Sequence, residues 1–171
     1  PLADAHRRLL FDLDLYHAVF FVSANAAHHA LNAFADLWPQ WPVGVHWLAV
    51  GESTAAVIRD AGLTPEYPRS GFNSEAVLAL PCLASVAEKR ILICRGDSGR
   101  DWLAARLREK GAGVDVVPFY RRLPAPGRHW PEGADTVMIT SVEGWRAMAA
   151  LVPAGATVIA VDINEAALLS L

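Results

Sequence analysis

In this chain of 171 residues, the side chains able to handle a polar or charged ligand gather in short turns, each between an apolar run and an amphipathic stretch. The turns are Ser23-Ala24-Asn25, Gly51-Glu52-Ser53-Thr54, Arg95-Gly96-Asp97-Ser98-Gly99-Arg100 and Thr140-Ser141. Each opens a helix, whose first N–H groups lack intrahelical partners and together carry about half a positive charge. Several such ends along one edge make a rim for anionic groups. Ser, Thr and Asn at helix starts also cap those same N–H groups, and any one turn taken alone reads more simply as a cap. Arg95 and Arg100 flank the Gly-rich turn and suit bidentate pairing with carboxylates, or equally a solvated surface.

Other chemistries find less support. The Gly-rich turn has neither the Walker spacing with its Lys nor the dinucleotide Gly spacing. No Ser-His-Asp or Cys-His arrangement can be read, and Asp12 and Asp14, two apart on a helix, do not face each other. Among the six histidines, the adjacent pair His28-His29 points to different helix faces, and no metal site follows. Cys94 lies inside the apolar run Ile91-Leu92-Ile93-Cys94 and Cys82 near a helix end, so both read as structural. Trp38, Trp41 and Trp47 read as packing around a loop under a sheet rather than stacking on a ligand. Tyr120 closes an apolar run where composition changes abruptly, which sets a phenol at a domain junction, where clefts are commonest; a structural tyrosine is the alternative.

The elements that must position these residues follow from apolar periodicity. Pro1–Tyr16, with Leu2, Leu9, Leu10, Leu13 and Leu15, is expected to be a helix. Strand 18–22 then leads to helix 26–37, stopped by Trp38-Pro39, and strand 47–50 to helix 55–61, closed by Gly62. A short extended piece follows around Tyr67, and Asn73 or Ser74 caps the next helix. Strand 90–94, helix 101–110 ended by Gly111, and strand 114–120 come next. Residues 121–127, Arg-Arg-Leu-Pro-Ala-Pro-Gly, read as an extended linker. Beyond it lie strand 136–139, helix 144–151, strand 157–161 and helix 164–171. Strands alternating with helices at this spacing mean parallel strands joined by right-handed crossovers, hence a three-layer α/β fold with Ser23, Thr54, Ser98 and Gly99 along one edge of one sheet. Residues 1–120 form a largely complete domain, and 128–171, with two strands, only part of a second.

A hydrophobic fraction of 53% without a run of about 18 apolar residues argues for a soluble protein, and Pro1–Leu10 has helical spacing rather than that of a signal sequence, so a cytoplasmic address is expected. A net charge of −3 argues against a nucleic-acid groove. An anionic ligand must therefore be held locally.

Five stretches, in order, resemble uroporphyrinogen-III synthase: Phe20 to Ala26, Ala49 to Ala55, Asn73 to Leu78, Ile91 to Arg100 and Val117-Pro118-Phe119-Tyr120-Arg121-Arg122. The resemblance implies two Rossmann-like α/β domains with parallel sheets joined by a two-stranded connector, the chain leaving the first domain, building the second whole and returning. The pattern expects a strand-helix-strand before Pro1 and a helix-strand near Ala160-Val161-Asp162 that this sequence lacks. It further implies a monomeric lyase without metal or organic cofactor that converts hydroxymethylbilane, a linear tetrapyrrole bearing carboxylates, to uroporphyrinogen III in haem biosynthesis. Tyr120 matches the family's tyrosine near the leaving hydroxyl, where a phenol can donate a proton. Substrate carboxylates would be held by Ser23, Asn25, Gly51, Ser53, Thr54, Arg95, Gly96, Ser98, Gly99 and Arg100, with Thr140 and Ser141 across the cleft. Two alternatives stay open. A non-catalytic two-lobed binding protein would use the same rim, and a flavodoxin-like or receiver-type module is opposed by Ser, Thr and Gly where a receiver needs acids.

Overall fold

The computed structural model describes residues 3–71, 73–99, 101–121, 123, 129–139 and 142–160. Arg100, Thr140, Ser141, most of the expected linker and the expected helix 164–171 lie outside the described residues. The chain divides into two compact units, 1–122 and 123–171.

In the first unit, strands β1 (Ala18–Phe21), β2 (His46–Ala49), β3 (Pro65–Glu66), β4 (Arg90–Gly96) and β5 (Gly113–Tyr120) form one parallel sheet in the order β3-β2-β1-β4-β5. The strands are apolar because both faces are covered. Side-chain alternation sorts them into two cores. Val19, Phe21, Trp47, Ala49, Leu92 and Cys94 face one side, where they meet helices α1 (Asp4–Leu10), α2 (Ala24–Ala35) and α3 (Glu52–Asp60) through Leu10, Leu31, Phe34 and Ile58. Ala18, Phe20, Leu48, Ile91 and Ile93 face the other, against Val77 of α4 (Ser74–Leu78) and Leu103 and Leu107 of α5 (Trp102–Glu109). The expected three layers are therefore present in this unit.

Punctuation residues act largely as their chemistry dictates. Gly62 and Gly111 close α3 and α5 with φ of 81° and 85°, values that residues with a Cβ rarely adopt. Asn73 accepts from the Ala76 N–H at 2.9 Å and Ser23 from the Ala26 N–H at 3.1 Å, so both are true caps. The tryptophans behave as core: Trp47 stacks on Phe21, Trp38 donates to the Leu10 carbonyl, and Trp41 donates to the Ala61 carbonyl.

Three expectations need correction. The first helix does not run to Tyr16; it stops at Leu10, and Leu13–Leu15 is a 3-10 turn. That break buries Leu13, exposes Leu15, and lets Asp12 receive Arg90 and the Tyr16 hydroxyl donate to Asp115. Long-range polar contacts that periodicity does not see win over the helix here. Helix α3 begins at Glu52, so Ser53 and Thr54 belong to its first turn. Strand β4 continues through Arg95 and Gly96, because both still pair with β5 across a bulge between them.

In the second unit, β6 (Thr136–Ile139) and β7 (Thr157–Ala160) pair in parallel in the register Thr136 to Thr157, joined by α6 (Val142–Met148) and a 3-10 turn. Ile139 is buried, while Met138 and Ile159 are exposed. No helix among the described residues is long and apolar enough to cross a membrane.

Candidate active site

The strand order dictates where a crevice opens in the first unit. After β1 the chain turns to one face as α2, and after β4 it turns to the other as α5. Because β1 and β4 are neighbours, the loops leaving their carboxyl ends diverge, and ligands of open α/β sheets bind in such a gap. Ser23 follows β1, Gly96 ends β4, and Tyr120 ends β5 next to it.

The Tyr120 ring is confined on three sides. Its hydroxyl lies 3.3 Å from Ser23 Oγ, a hydrogen bond in which either can donate. Its ring stacks on the His29 imidazole with centroids 5.6 Å apart and planes 28° from parallel. Beneath it is Gly96: a Cβ there would meet Tyr120 Cζ at 3.0 Å and Cε2 at 3.2 Å. Only glycine at this position lets the ring lie flat on the strand. The backbones are tied as well, since the Asp97 N–H donates to the Tyr120 carbonyl at 2.9 Å. Tyr120 is thus a half-buried phenol with a fixed ring and a hydroxyl at the mouth of the crevice.

The flanking helix ends supply donors. Ser23 caps α2 while its Oγ also engages Tyr120, so one side chain joins the helix end to the phenol. Helix α3 has Gly51 as its N-cap residue, extended at φ −176°, with no side chain over its first N–H groups. That open end suits an anion better than the capped one. Thr54 in its first turn is buried, 1% exposed, and its hydroxyl has no hydrogen-bond partner among the described residues. A buried orphan hydroxyl is costly.

The structure brings Ser23, Gly96 and Tyr120 into direct contact, with Gly51, Ser53 and Thr54 at the start of the next helix along the same sheet edge. Asn25 is exposed in the first turn of α2, and Ser98 and Gly99 lie in the turn after β4. Arg95 is not free for a ligand: its guanidinium bonds Asp101 at 2.5 Å and its side chain is only 18% exposed. That engagement leaves Asp101 making no side-chain cap to α5. A charged cleft of about 340 Å³, lined by His6, Arg95, Asp97, Asp101 and Arg108, opens beside this end of β4 and β5. It carries both signs of charge and does not include Tyr120. His29 escaped the sequence reading, because only the fold brings that helix position over the last residue of β5.

Elsewhere, Cys94 is fully buried and apolar surroundings push its thiol well above the ordinary range. Arg90 lies over the Tyr16 ring and pairs with Asp12 and Asp115 at the opposite, amino end of the sheet. Burial, reinforced by the hydrogen bond and charge of Asp115, holds the Tyr16 phenol well above its usual value. This group ties the first helix to β4 and β5 and is remote from the crevice.

Comparison with known proteins converges on one family. The family model for uroporphyrinogen-III synthase HemD matches residues 2–165. The uroporphyrinogen-III synthase of Salmonella typhimurium is 32% identical over 145 residues, covering 80% of this chain and 56% of that protein. The enzyme of Proteus mirabilis is 37% identical over 106 residues, covering 61% of this chain and 53% of that protein. The chain thus spans about half the length of the curated relatives it matches. Among solved structures, a uroporphyrinogen III synthase from Thermus thermophilus superposes with a TM-score of 0.62 at 17% identity, covering 97% of this chain and 72% of that one. The enzyme from Helicobacter pylori gives 0.60 at 15%, covering 91% and 72%. These structural likenesses speak to the fold, and the sequence matches to descent: the chain belongs to the uroporphyrinogen-III synthase family.

Proposed function

We propose that this chain contributes the Tyr120 crevice to a uroporphyrinogen-III synthase that cyclises and dehydrates hydroxymethylbilane, inverting ring D through a spiro intermediate. The observation that carries the reading is the Tyr120 phenol, fixed by Gly96, His29 and Ser23 at the gap where loops diverge. The phenol donates its proton to the terminal hydroxyl of the substrate, which leaves as water. The cation left behind is attacked by the substituted carbon of ring D, giving the spiro intermediate, and reopening and reclosure deliver the inverted ring. The steps break one carbon–oxygen bond, make and break carbon–carbon bonds, and return to the Tyr120 phenolate the proton that ring D loses on reclosure, so the reading calls for no redox cofactor.

Substrate carboxylates would dock on the open end of α3 at Gly51, Ser53 and Thr54 and on the turn from Gly96 to Arg100, with Ser23 and Asn25 at the mouth. Thr140 and Ser141 would add further contacts to the same substrate. In the whole protein, residues 1–120 would form the inserted domain, 121–127 one strand of the connector, and 128–171 part of the discontinuous domain. Closure of two such lobes would hold the ends of the tetrapyrrole together and favour the spiro geometry over direct closure. The protein would work as a cytoplasmic monomer without nucleic-acid or membrane partners.

The test is incubation of the full-length protein with freshly generated hydroxymethylbilane, followed by oxidation and separation of uroporphyrin isomers. Excess type III supports the proposal, and Tyr120→Phe should then slow its formation by roughly 10²-fold or more, the lower range for loss of a general acid. Type I alone, the spontaneous product, would leave a two-lobed binding protein in its place.

A further inference from the structure

Three side chains with metal-ligating atoms converge at the amino side of the sheet, away from the Tyr120 crevice. His46 opens β2, Glu66 ends the neighbouring β3, and Cys82 lies in the 3-10 turn Pro81–Leu83. The register pairs Glu66 with Leu48, so His46, Leu48 and Glu66 project to one sheet face, the face covered by the segment that carries Cys82. One ligand atom from each lies within 4.8 Å of the others, and His46 Nδ1 already contacts Glu66 Oε1 at 2.5 Å. The His46 and Glu66 side chains are 38% and 39% exposed, leaving an approach from solvent. His17 completes the surroundings: its Nε2 bonds the Cys82 carbonyl at 2.8 Å and its ring packs edge-on against His46 at 4.8 Å.

We propose that His46, Glu66 and Cys82 form a binding site for one borderline transition-metal dication of the zinc class. Imidazole, carboxylate and thiolate together suit zinc rather than magnesium or calcium, which demand oxygen. Zinc bonds of about 2.0–2.3 Å set neighbouring ligand atoms roughly 3.3–3.8 Å apart. Side-chain rotations of about 1 Å are therefore enough to bring the three atoms onto one ion. Binding expels the Cys82 thiol proton to solvent, and a water takes the fourth position. His17 is a positioning residue, holding the backbone of the thiolate through its carbonyl. Because the ligands join β2, β3 and the turn before β4, an occupied site stabilises the first unit, and no catalytic step passes through it.

The experiment uses the full-length protein stripped with a chelator and titrated with zinc against a chromophoric competitor, with cobalt(II) as the optical probe. The expected result is one ion per chain, a thiolate-to-cobalt charge-transfer band with the strong visible absorption of tetrahedral cobalt, and a rise in thermal midpoint with added zinc. Cys82→Ser should abolish the band, His17→Gln should weaken binding roughly 10- to 100-fold, and exposed His28→Ala should change neither. A wild-type cobalt spectrum without the thiolate band, or zinc affinity unchanged in both Cys82→Ser and His46→Ala, overturns the proposal. The wild-type spectrum decides even if a variant fails to fold, and it does not depend on synthase activity.

Discussion

Gly96→Ala isolates the positioning of Tyr120 from the presence of Tyr120. The added methyl would sit 3.0 Å from Cζ, 3.2 Å from Cε2 and 3.3 Å from the hydroxyl of that ring. Ordinary carbon contacts begin at about 3.5 Å, so the ring must retreat by about 0.5 Å or more. The backbone cannot absorb the shift, because Gly96 and Tyr120 are paired in register and the Asp97 N–H holds the Tyr120 carbonyl. The hydroxyl is 3.3 Å from Ser23 Oγ, near the upper limit of a hydrogen bond, so a ring shift of this size must alter that contact. Gly96 has no positive φ, so alanine is compatible with the backbone there. Its gain of about 0.4–1 kcal/mol from a less flexible unfolded chain offsets about 0.5–1.5 kcal/mol of ring distortion. Stability should therefore stay within about 1 kcal/mol of the parent. A misplacement of a reacting group by about 1 Å costs on the order of 10²-fold, so a shift of about half that should cost roughly 10-fold, or about 1.4 kcal/mol of barrier. The assay is the initial rate of type III uroporphyrinogen formation with the full-length protein, with thermal unfolding measured in parallel. In a Tyr120→Ala background the methyl meets no ring, so Gly96→Ala should there cost nothing further. An unchanged rate for Gly96→Ala, or the same loss in both backgrounds, would refute the reasoning; the second outcome would mean that the methyl blocks substrate directly.

Further expectations follow from single contacts. Ser23→Ala removes both the α2 cap and the partner of the Tyr120 hydroxyl, and should cost about 1 kcal/mol in chemical denaturation along with a reduced rate of type III formation. Phe34→Ala empties a fully buried site between Phe21 and Phe119 and should cost about 3–5 kcal/mol, read from the urea midpoint. Alkaline stability should decline above pH 10.0, because the folded state keeps the raised Tyr16 proton that the unfolded chain releases. Tyr16→Phe should flatten that decline, and an unchanged slope would mean that neither burial nor the Asp115 contact holds the Tyr16 proton in solution.

The sequence by itself determined what short-range physics encodes. Apolar runs of four or five residues, glycines able to take positive φ, and Asn and Ser before amphipathic stretches placed the strands, caps and crossovers of residues 18–120, and from them the parallel sheet and its polar edge. It also marked Tyr120 and Ser23, because a strand end and a helix start are local events. Tertiary structure alone decided which of these residues meet. The order β3-β2-β1-β4-β5 sets β1 beside β4, and only then do Ser23, Gly96, His29 and Tyr120 become neighbours. It also engaged Arg95 with Asp101, ended the first helix at Leu10 in favour of the contacts of Arg90 and Tyr16, and gathered His46, Glu66 and Cys82 from three separate segments. Helical and strand periods report the environment of a residue relative to its own element, whereas contacts between elements depend on strand order and register, which no local pattern carries.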